Sequence, residues 1–592
     1  MRALEIIDSE GELRSAYALW RVETARDDPE REPEHFLVWI VSLGRKSYVN
    51  LNVKPAWLAF LAEPSDPYLS RLEAYLAKKS GNGAGGPPHA GLNRSHMWYY
   101  AEAVASYGLG GFVLPRETAA LARIAVYEAG AGHAPISLLD LIVHATNATA
   151  RSRFDLAQPA ARFDFKTWLD REGDDALPAW LPSAEQSALC SARSEPTGRA
   201  GATRTTQAAG GEGVGRLVGV NLIGFADGVL GIGEDLRTFA RVARRAAAPY
   251  GVCNVALPDE HGANQSSGLE ALFLARPVFP VNLFCVPLFE TERLRLNRGR
   301  DLFAGRYNIG YWAWELSTLP AYWRHAFDHV DEVWAMSPFL VDVYATLTTK
   351  PVIHMPPCVA IDQLDPVDLR EFGFDDGDFV CLAMCDFNSH AARKNPVGAI
   401  RAFRAAFARR GGGERLLIKT INGHARPDQL EALLREVGED PRIVVIDGAF
   451  SRAATHGLVA AADCLVSLHR SEGFGRVVAE AMLLRTPVVA TGYSGSNSVL
   501  DETTGFPVAY RLVPVPPGDY PYAEGSEWAE PDLDDAVDRL RVAARAQAGV
   551  EARIAAAQAR VSRDHGLDRV AVRFGERLAA IGAAGGDAIF RR

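Results

Sequence analysis

The strongest chemical signal in the sequence is a pair of glutamates on either side of a glycine turn. Residues 471–482 read SEGFGRVVAEAM, which places Glu472 in the turn and Glu480 in the helical segment after it. The apolar residues 464–468 before the turn predict a buried strand of a parallel sheet. A helix that starts after such a strand offers free backbone N–H groups and a positive dipole end, which suit a phosphate. Carboxylates repel phosphates but accept hydrogen bonds from hydroxyl groups, so the pattern predicts a nucleotide-sugar site.

These residues resemble the E-x₇-E motif of retaining glycosyltransferases of family four, which have the GT-B fold. Residues 483–491, LLRTPVVAT, are also similar to that family, whose motif helix is followed by a short strand that begins at proline. Two glutamates on a solvated helix face are the alternative, but the flanking strand, the glycines and the Ala-Met pair favour the family. The resemblance implies that Glu480 binds the donor ribose and that Glu472 holds hydroxyl groups of the donor sugar.

A basic pair, Arg393 and Lys394, follows the strand predicted at 379–384 and precedes a helix that Pro396 would begin. Cations at the start of a helix oppose its dipole, so a bound anion is expected to compensate them. In family four a lysine of the matching loop neutralises the leaving diphosphate, and Lys394 is similar to that residue. The family's arginine several positions earlier has no counterpart here, and Arg393 is the candidate replacement. The alternative is a solvated basic loop.

Two further features come earlier in the chain. Gly231 and Gly233 form a turn between a predicted strand and a helix, without the third glycine of a dinucleotide fingerprint. The turn resembles the family's glycine loop, which approaches the donor phosphates, and a plain structural turn is the alternative. Glu315 follows Trp312 and Trp314 at the end of a predicted strand, where α/β proteins bind ligands. In the family a polar residue at the similar position, often His or Asp, faces the reacting sugar; a structural tryptophan corner is the alternative.

The resemblance thus assigns two sets of residues to the site. The residues expected to take part in the reaction are Glu472, Glu315 and Lys394. The expected donor-binding residues are Gly231, Gly233, Arg393, Lys394, Gly473, Phe474, Gly475 and Glu480. Three weaker candidates end predicted strands or lie in the loops after them: His469, Lys419 and Ser494. No cysteines or histidines have metal-ligand spacing, so no metal site is predicted. The resemblance implies no cofactor besides the nucleotide-sugar donor.

Composition bounds the class of protein. The chain has 592 residues, of which 48% are hydrophobic and 23% charged, as in a globular protein of several domains. The net charge of −10 argues against nucleic-acid binding, which requires a basic surface. No run of ~20 apolar residues predicts a membrane span, and the acidic N-terminus does not resemble a secretory signal. We therefore expect a cytoplasmic protein, with peripheral contact to the inner face of the membrane left open.

The periodicity of apolar residues divides the chain. Residues 1–190 follow helical spacing, for example at 117–129, and predict a mostly helical accessory domain. Residues 191–215 are rich in Ser, Thr, Gly, Ala and Arg, which predicts a flexible linker. Two series of strand–helix units follow and predict Rossmann-like domains at 216–372, on the acceptor side, and 373–592, on the donor side. The expected fold class is α/β, with two doubly wound GT-B domains facing a cleft and the last helix crossing back to the first.

The predicted function is a retaining, metal-independent hexosyl transfer. The donor would be a nucleoside-diphosphate-sugar, GDP-mannose or a UDP-hexose, and the acceptor a hydroxyl group of a sugar or glycoconjugate. Bacterial polysaccharide or glycoconjugate synthesis is the expected setting. The alternatives are a sugar phosphorylase or epimerase of the same fold, and a catalytically silent nucleotide-sugar-binding protein that recruits a partner. The helical domain is expected to serve acceptor choice or assembly into oligomers rather than chemistry.

Overall fold

The structure is a computed structural model of the chain. It describes residues 217–256, 266–408, 413–545 and 548–584, and in the N-terminal part 33–41, 55–63, 68–79, 96–106, 115–127 and 136–172 with a few isolated residues. Contacts divide the chain into two units, one of Met1–Trp20 with Asp28–Gly211 and one of Arg21–Asp27 with Glu212–Arg592. The linker predicted at 191–215 lies outside the described residues and stays a prediction.

The described part of the N-terminal unit is mostly helical, as predicted. Its helices are α1 (Pro33–Trp39), α2 (Pro55–Leu61), α3 (Arg71–Lys79), α4 (Val104–Ser106), α5 (Pro115–Arg123), α6 (Leu138–Thr146), α7 (Ala148–Arg153) and α8 (Pro159–Glu172). The helix predicted at 117–129 is wrong at its end, since it stops at Arg123. The next residues, Ala125–Tyr127 (β1), pair antiparallel with Ile136–Ser137 (β2). Sheet pairing overrides local helix propensity there.

The first Rossmann-like domain has a parallel sheet in the order β4-β3-β5-β6-β7-β8. Its strands are β3 (Val220–Gly224), β4 (Tyr250–Asn254), β5 (Val281–Cys285), β6 (Tyr307–Tyr311), β7 (Glu332–Ala335) and β8 (Val352–His354), and its helices are α9 (Gly231–Arg245), α10 (Leu288–Arg298) and α11 (Pro338–Ala345). β3 and β5 are buried along their whole length because helices cover both faces. Their two buried polar residues satisfy each other, since the Asn221 side-chain amide donates to the Asn282 side-chain oxygen at 2.9 Å.

The second Rossmann-like domain repeats this architecture with a parallel sheet in the order β11-β10-β9-β12-β13-β14. Its strands are β9 (Phe379–Asp386), β10 (Glu414–Ile421), β11 (Ile443–Asp447), β12 (Cys464–Ser467), β13 (Val488–Thr491) and β14 (Phe506–Val508). Its helices are α12 (Ala391–Lys394), α13 (Pro396–Ala406), α14 (Pro427–Val437), α15 (Arg452–Ala461), α16 (Arg476–Leu483) and α17 (Leu533–Ala543). The two parallel six-stranded sheets confirm the predicted α/β fold of GT-B type.

Two terminal helices, α18 (Ala548–His565) and α19 (Leu567–Ala584), complete the second unit. α19 packs on the first Rossmann-like domain, where the Phe574 ring lies 5.9 Å from Phe239 and 5.8 Å from Trp334. At the junction of the two helices, the His565 carbonyl accepts a hydrogen bond of 2.9 Å from the Val359 N–H. The chain therefore crosses between the domains twice, at the segment near 357–373 and at the start of α19.

An antiparallel hairpin, β15 (Tyr510–Pro514) and β16 (Glu527–Pro531), separates β14 from α17. It forms a small sheet of its own and is not part of the parallel sheet. The α/β pattern does not require this hairpin, and the sequence analysis did not predict it.

Candidate functional site

The order of the strands in the second domain defines where a ligand can bind. From β9 the chain proceeds outward to β10 and β11, and it then returns to β12 on the other side of β9. Loops that follow adjacent strands on either side of such a reversal diverge and leave a crevice, which is where open α/β sheets bind ligands. The loop after β9 carries Arg393 and Lys394, and the loop after β12 carries Glu472. The structure therefore brings these predicted residues together at the crevice.

Glu472 is held between the two cations of the neighbouring loop. Lys394 Nζ lies 2.5 Å from Glu472 Oε1, and Arg393 Nη1 lies 3.1 Å from Oε2. Burial alone would raise the pKa of Glu472, but the charges of Lys394 and Arg393 outweigh it and hold the pKa well below its usual range. Glu472 is therefore an ionised hydrogen-bond acceptor, and each of its oxygens already faces a cation.

The basic pair stands directly before the helix that Pro396 begins, as predicted. Arg393 and Lys394 occupy the last turn of α12, and Asn395, with a left-handed φ of 51°, separates them from α13. α12 is a single turn with little dipole of its own, and the two cations stand just before the N-terminus of α13. The expectation that a bound anion compensates them stays a prediction. The Asn395 side chain caps the helix that starts at Pro396, since it accepts a hydrogen bond from the Gly398 N–H. Arg393 itself is only 3% exposed, so the reading as a solvated loop does not fit it.

Glu315 comes from the first domain and faces the same cluster. Its Oε1 lies 3.8 Å from Arg393 Nη2, and its Oε2 accepts a hydrogen bond from the Tyr520 hydroxyl. The two neighbouring tryptophans have separate places. Trp312 is fully buried and donates to Thr291 Oγ1 at 3.0 Å, whereas Trp314 packs edge-on against Tyr520 at 6.0 Å. Trp312 thus belongs to the core, and Trp314 and Glu315 border the crevice.

The turn 473–475 is tightly enclosed between the domains. A Cβ on Gly473 would lie 2.7 Å from the Trp314 carbonyl oxygen, and Gly475 has a left-handed φ of +83°. Both positions therefore require glycine. Phe474 is buried and packs on the ring of His565 at 4.8 Å. No side chain caps the start of α16, so the backbone N–H groups there lack a side-chain acceptor, as an anion site requires.

Glu480 lies inside α16 within a second charged cluster. Its Oε1 is 2.6 Å from Arg452 Nη2, and its Oε2 is 3.8 Å from His456 Nε2. Arg452 also reaches across to the first domain, where its Nε lies 3.3 Å from Glu234. Beside this, Arg476 pairs with Asp235, again between the domains.

Sequence reasoning missed Arg452, Glu234 and Asp235 as members of this cluster. Glu234 and Asp235 follow the glycine turn directly and could be taken for ordinary acidic residues of a first helical turn, while Arg452 starts α15 after an unremarkable loop. The position of Arg452 could have indicated its role. Arg452 follows β11 and Glu472 follows β12, so both lie at the edge where the parallel strands of the sheet end. Only the closure of the two domains makes these residues neighbours.

The glycine turn at the start of α9 has a clear structural role. A Cβ on Gly233 would lie 2.6 Å from the Gly228 carbonyl oxygen and 2.7 Å from that of Phe225, whereas one on Gly231 would meet nothing within 4 Å. Gly233 therefore allows the helix to approach the preceding loop closely. Contact of the turn with donor phosphates stays a prediction.

The three weaker candidates differ in their surroundings. His469 is fully buried and bonds to Ser467 Oγ at 3.0 Å and Ser496 Oγ at 3.1 Å. Burial lowers its pKa to about 4, so the ring is neutral at pH 7. Ser494 Oγ accepts the Glu472 N–H at 2.8 Å and so fixes the turn. Lys419 lies inside β10, two residues before the strand ends at Ile421, so the prediction that it ends its strand is wrong. It is 6% exposed, and its Nζ lies 5.5 Å from the centre of the Phe450 ring.

Neither a metal cluster nor a membrane-spanning helix is found among the described residues. In that part of the chain, no group of three or more His, Cys, Asp or Glu side chains could hold a metal ion. None of the helices described there is long and apolar enough to cross a membrane.

The two facing Rossmann-like domains have the architecture of the GT-B fold, and the E-x₇-E pair begins at the crevice between them. Residues 329–566 match the model of a family described as family 4 glycosyltransferases in conflict systems. The α-D-kanosaminyltransferase of Streptomyces kanamyceticus is 31% identical over 197 residues, which cover 32% of this chain and 45% of that protein. The chain thus spans less than half of this relative. The matches confirm the predicted resemblance to family four, and the range that the family model matches includes Lys394, Glu472 and Glu480.

Solved structures show only a distant similarity. Anabaena HepE, in complex with UDP and glucose, gives a TM-score of 0.42 at 14% identity over 61% of this chain and 100% of its own. Sucrose-phosphate synthase of Thermosynechococcus elongatus gives 0.45 at 15% identity over 62% and 100%.

Proposed function

We propose that the protein is a retaining glycosyltransferase that moves a hexose from a nucleoside-diphosphate-sugar to a hydroxyl group of an acceptor. The observation that carries this proposal is the placement of Arg393, Lys394 and Glu472 at the reversal of strand order, with Glu480 one helix further on. The match of residues 329–566 to a glycosyltransferase family supports it.

The two cations are suited to a leaving diphosphate. Lys394 uses one of its three N–H donors on Glu472, which leaves others for phosphate oxygens. Arg393 is buried, so its charge acts in a medium that screens it poorly. Glycosyl transfer passes through an oxocarbenium-like sugar and a departing diphosphate, and fixed positive charge at the leaving group lowers the barrier. The start of α16 has no side-chain cap, so its backbone N–H groups add partial positive charge beside the two cations.

The carboxylates supply the complementary half of the site. Glu472 is kept ionised by its two cations and can accept hydrogen bonds from hydroxyl groups of the donor sugar. Glu480, buried and paired with Arg452, is assigned to the ribose. Glu315 approaches from the first domain and is assigned to the side of the reacting sugar. In this scheme the leaving phosphate assists deprotonation of the acceptor, and no metal ion takes part.

Several finer points belong to the same proposal. The donor is a UDP-hexose or GDP-mannose, and the acceptor is a sugar or glycoconjugate. The resemblance implied polysaccharide or glycoconjugate synthesis, whereas the matching family is described from conflict systems, so the biological setting stays a prediction. A cytoplasmic location, contact with the inner face of the membrane and oligomers through the N-terminal unit also stay predictions.

A two-stage experiment tests the proposal. The melting temperature of the full chain is measured with a panel of UDP-, GDP- and dTDP-sugars, because a ligand that binds only the folded state raises it. The donors that raise it are then incubated with the protein and EDTA, and release of nucleoside diphosphate is followed. Binding with release supports a metal-independent transferase. Binding without release, with a range of acceptors present, would favour the silent binding protein, and the absence of both would refute the proposal.

A further inference from the structure

The hairpin of β15 and β16 is fixed to the motif loop at its base. The Ala529 N–H donates to the Arg470 carbonyl oxygen at 2.9 Å, and Arg470 Nε lies 2.7 Å from Glu530. Arg470 also lies over the Trp528 ring at 5.5 Å. Because Arg470 stands two residues before Glu472, the position of the hairpin is coupled to that of the E-x₇-E turn.

The loop at the other end of the hairpin, 515–526, extends to the first domain. The Tyr522 ring lies 5.3 Å from Trp323 and 5.8 Å from Phe289, and Tyr522 is only 7% exposed. Near the same end, Ser526 Oγ lies 2.5 Å from Thr318 Oγ1. The hairpin thus bridges the two domains on the side of Glu315.

Between these two anchors, the hairpin places Tyr520 in the crevice. The ring packs against His390 at 4.8 Å and lies 5.9 Å below the Arg393 guanidinium. The hydroxyl group donates to Glu315 Oε2, while Oε1 faces Arg393. Burial raises the pKa of Tyr520 well above its usual range, so the hydroxyl group keeps its proton and remains a donor at neutral pH.

We propose that Tyr520 is a positioning residue for Glu315, supplied to the site by the hairpin. The inference rests on the proposed function, in which Glu315 faces the reacting sugar. The hydroxyl group of Tyr520 donates to one oxygen of Glu315, and the charge of Arg393, 3.8 Å away, attracts the other, so the two together orient the carboxylate. Arg393 in turn holds Glu472, so the four side chains form one continuous row across the cleft. The hairpin therefore contributes a side chain to the proposed site.

The test removes the hydroxyl group alone. Tyr520→Phe keeps the ring contacts with Trp314 and His390 and deletes the hydrogen bond to Glu315. Loss of a hydrogen bond to a charged group lowers a rate constant by roughly ten- to hundred-fold when the bond acts in the transition state. We expect kcat for nucleoside diphosphate release to fall by that factor and the KM for the donor to stay within about two-fold, since the nucleotide contacts are untouched. Tyr510→Phe, on the same hairpin but 41% exposed, is the matched control and is expected to keep full activity.

A double-variant comparison shows whether the effect passes through Glu315. In a Glu315→Ala background, Tyr520→Phe should cause little further loss of kcat, because Glu315→Ala already removes the acceptor of the same hydrogen bond. An unchanged kcat for Tyr520→Phe, or the full additional loss in the Glu315→Ala background, overturns the inference while the proposed function stands.

A third measurement covers the case in which the wild type releases no nucleoside diphosphate from any donor of the panel. The proposed function then fails. Thermal unfolding of the two single variants and the double variant still tests whether Tyr520 and Glu315 interact. Shifts in melting temperature that do not add support the coupling of Tyr520 to Glu315, and strictly additive shifts overturn it.

Discussion

Lys394 donates to Glu472 at 2.5 Å although 78 residues separate them in the chain. The first ends α12 after β9 and the second lies in the turn after β12, and these two strands are neighbours in the sheet. The ion pair therefore joins the two loops that border the crevice. Since Arg393 contacts the other oxygen of Glu472, a change at any of the three residues alters the electrostatics of the other two.

Lys394→Ala is expected to weaken binding of free nucleoside diphosphate by about 10- to 100-fold in Kd. The loss corresponds to one charge-assisted contact in a partly buried cleft. Calorimetry with UDP and GDP measures it. Arg401→Ala, which removes an exposed cation on α13 that pairs with Glu436, is the control and should leave Kd unchanged. Equal affinities for wild type and Lys394→Ala would assign Lys394 to the solvated loop.

Substitutions of the two glutamates of the motif are expected to affect different properties, nucleotide affinity for one and turnover for the other. Glu480→Gln removes a charge that accepts from ribose hydroxyl groups, so the Kd of the nucleoside diphosphate should rise by about ten-fold. Glu472→Gln should leave that Kd within about two-fold and lower turnover of the complete donor by at least ~10-fold. Calorimetry and donor turnover, with circular dichroism to verify folding, separate the two. The assignment is wrong if both variants turn over donor at the wild-type rate.

His469 should make stability depend on pH on the acidic side. Its pKa is lowered to about 4 by burial, so below its usual value of about 6.5 the unfolded state binds a proton that the folded state does not. The free energy of unfolding should therefore fall as the pH falls from about 6.5 to about 4.

In His469→Gln this contribution should be missing. The slope of the unfolding free energy against pH should be smaller than in the wild type by up to about 1.4 kcal/mol per pH unit, the value for one proton. Urea unfolding at several pH values measures the difference. Other buried histidines contribute equally to both proteins, and parallel curves would contradict the prediction.

The two glycines at the start of α9 provide a matched pair. Gly233→Ala places a Cβ within 2.7 Å of two carbonyl oxygens and should destabilise the protein by about 1–3 kcal/mol. Gly231→Ala meets open space and should be neutral or slightly stabilising, since alanine favours a helix. Melting temperatures compare them. If both variants bind nucleoside diphosphate as the wild type does, the turn has a structural role only, and a specific loss of affinity would support the predicted phosphate contact.

Much of the fold could be predicted from the sequence because its signals are local. Apolar runs indicate most strands of both sheets, and β9, β12 and α16 lie within a few residues of their predicted bounds. The prediction failed where a distant partner decided the outcome. Residues 125–127 leave the helical pattern because they pair with Ile136–Ser137, and no local preference indicates that pairing.

The sequence by itself determined the α/β class, the resemblance to family four and the residue types of the crevice, because strand–helix alternation and the E-x₇-E turn are short-range patterns. Only the tertiary structure decided which charges meet. Glu472 lies between Lys394 and Arg393, Arg452 joins Glu480 to Glu234, and Tyr520 contacts Glu315 across more than 200 positions of the chain. The physical reason is that an ion pair or hydrogen bond depends on distances of a few ångströms. Strand order and the closure of two domains fix those distances, and spacing along the chain does not.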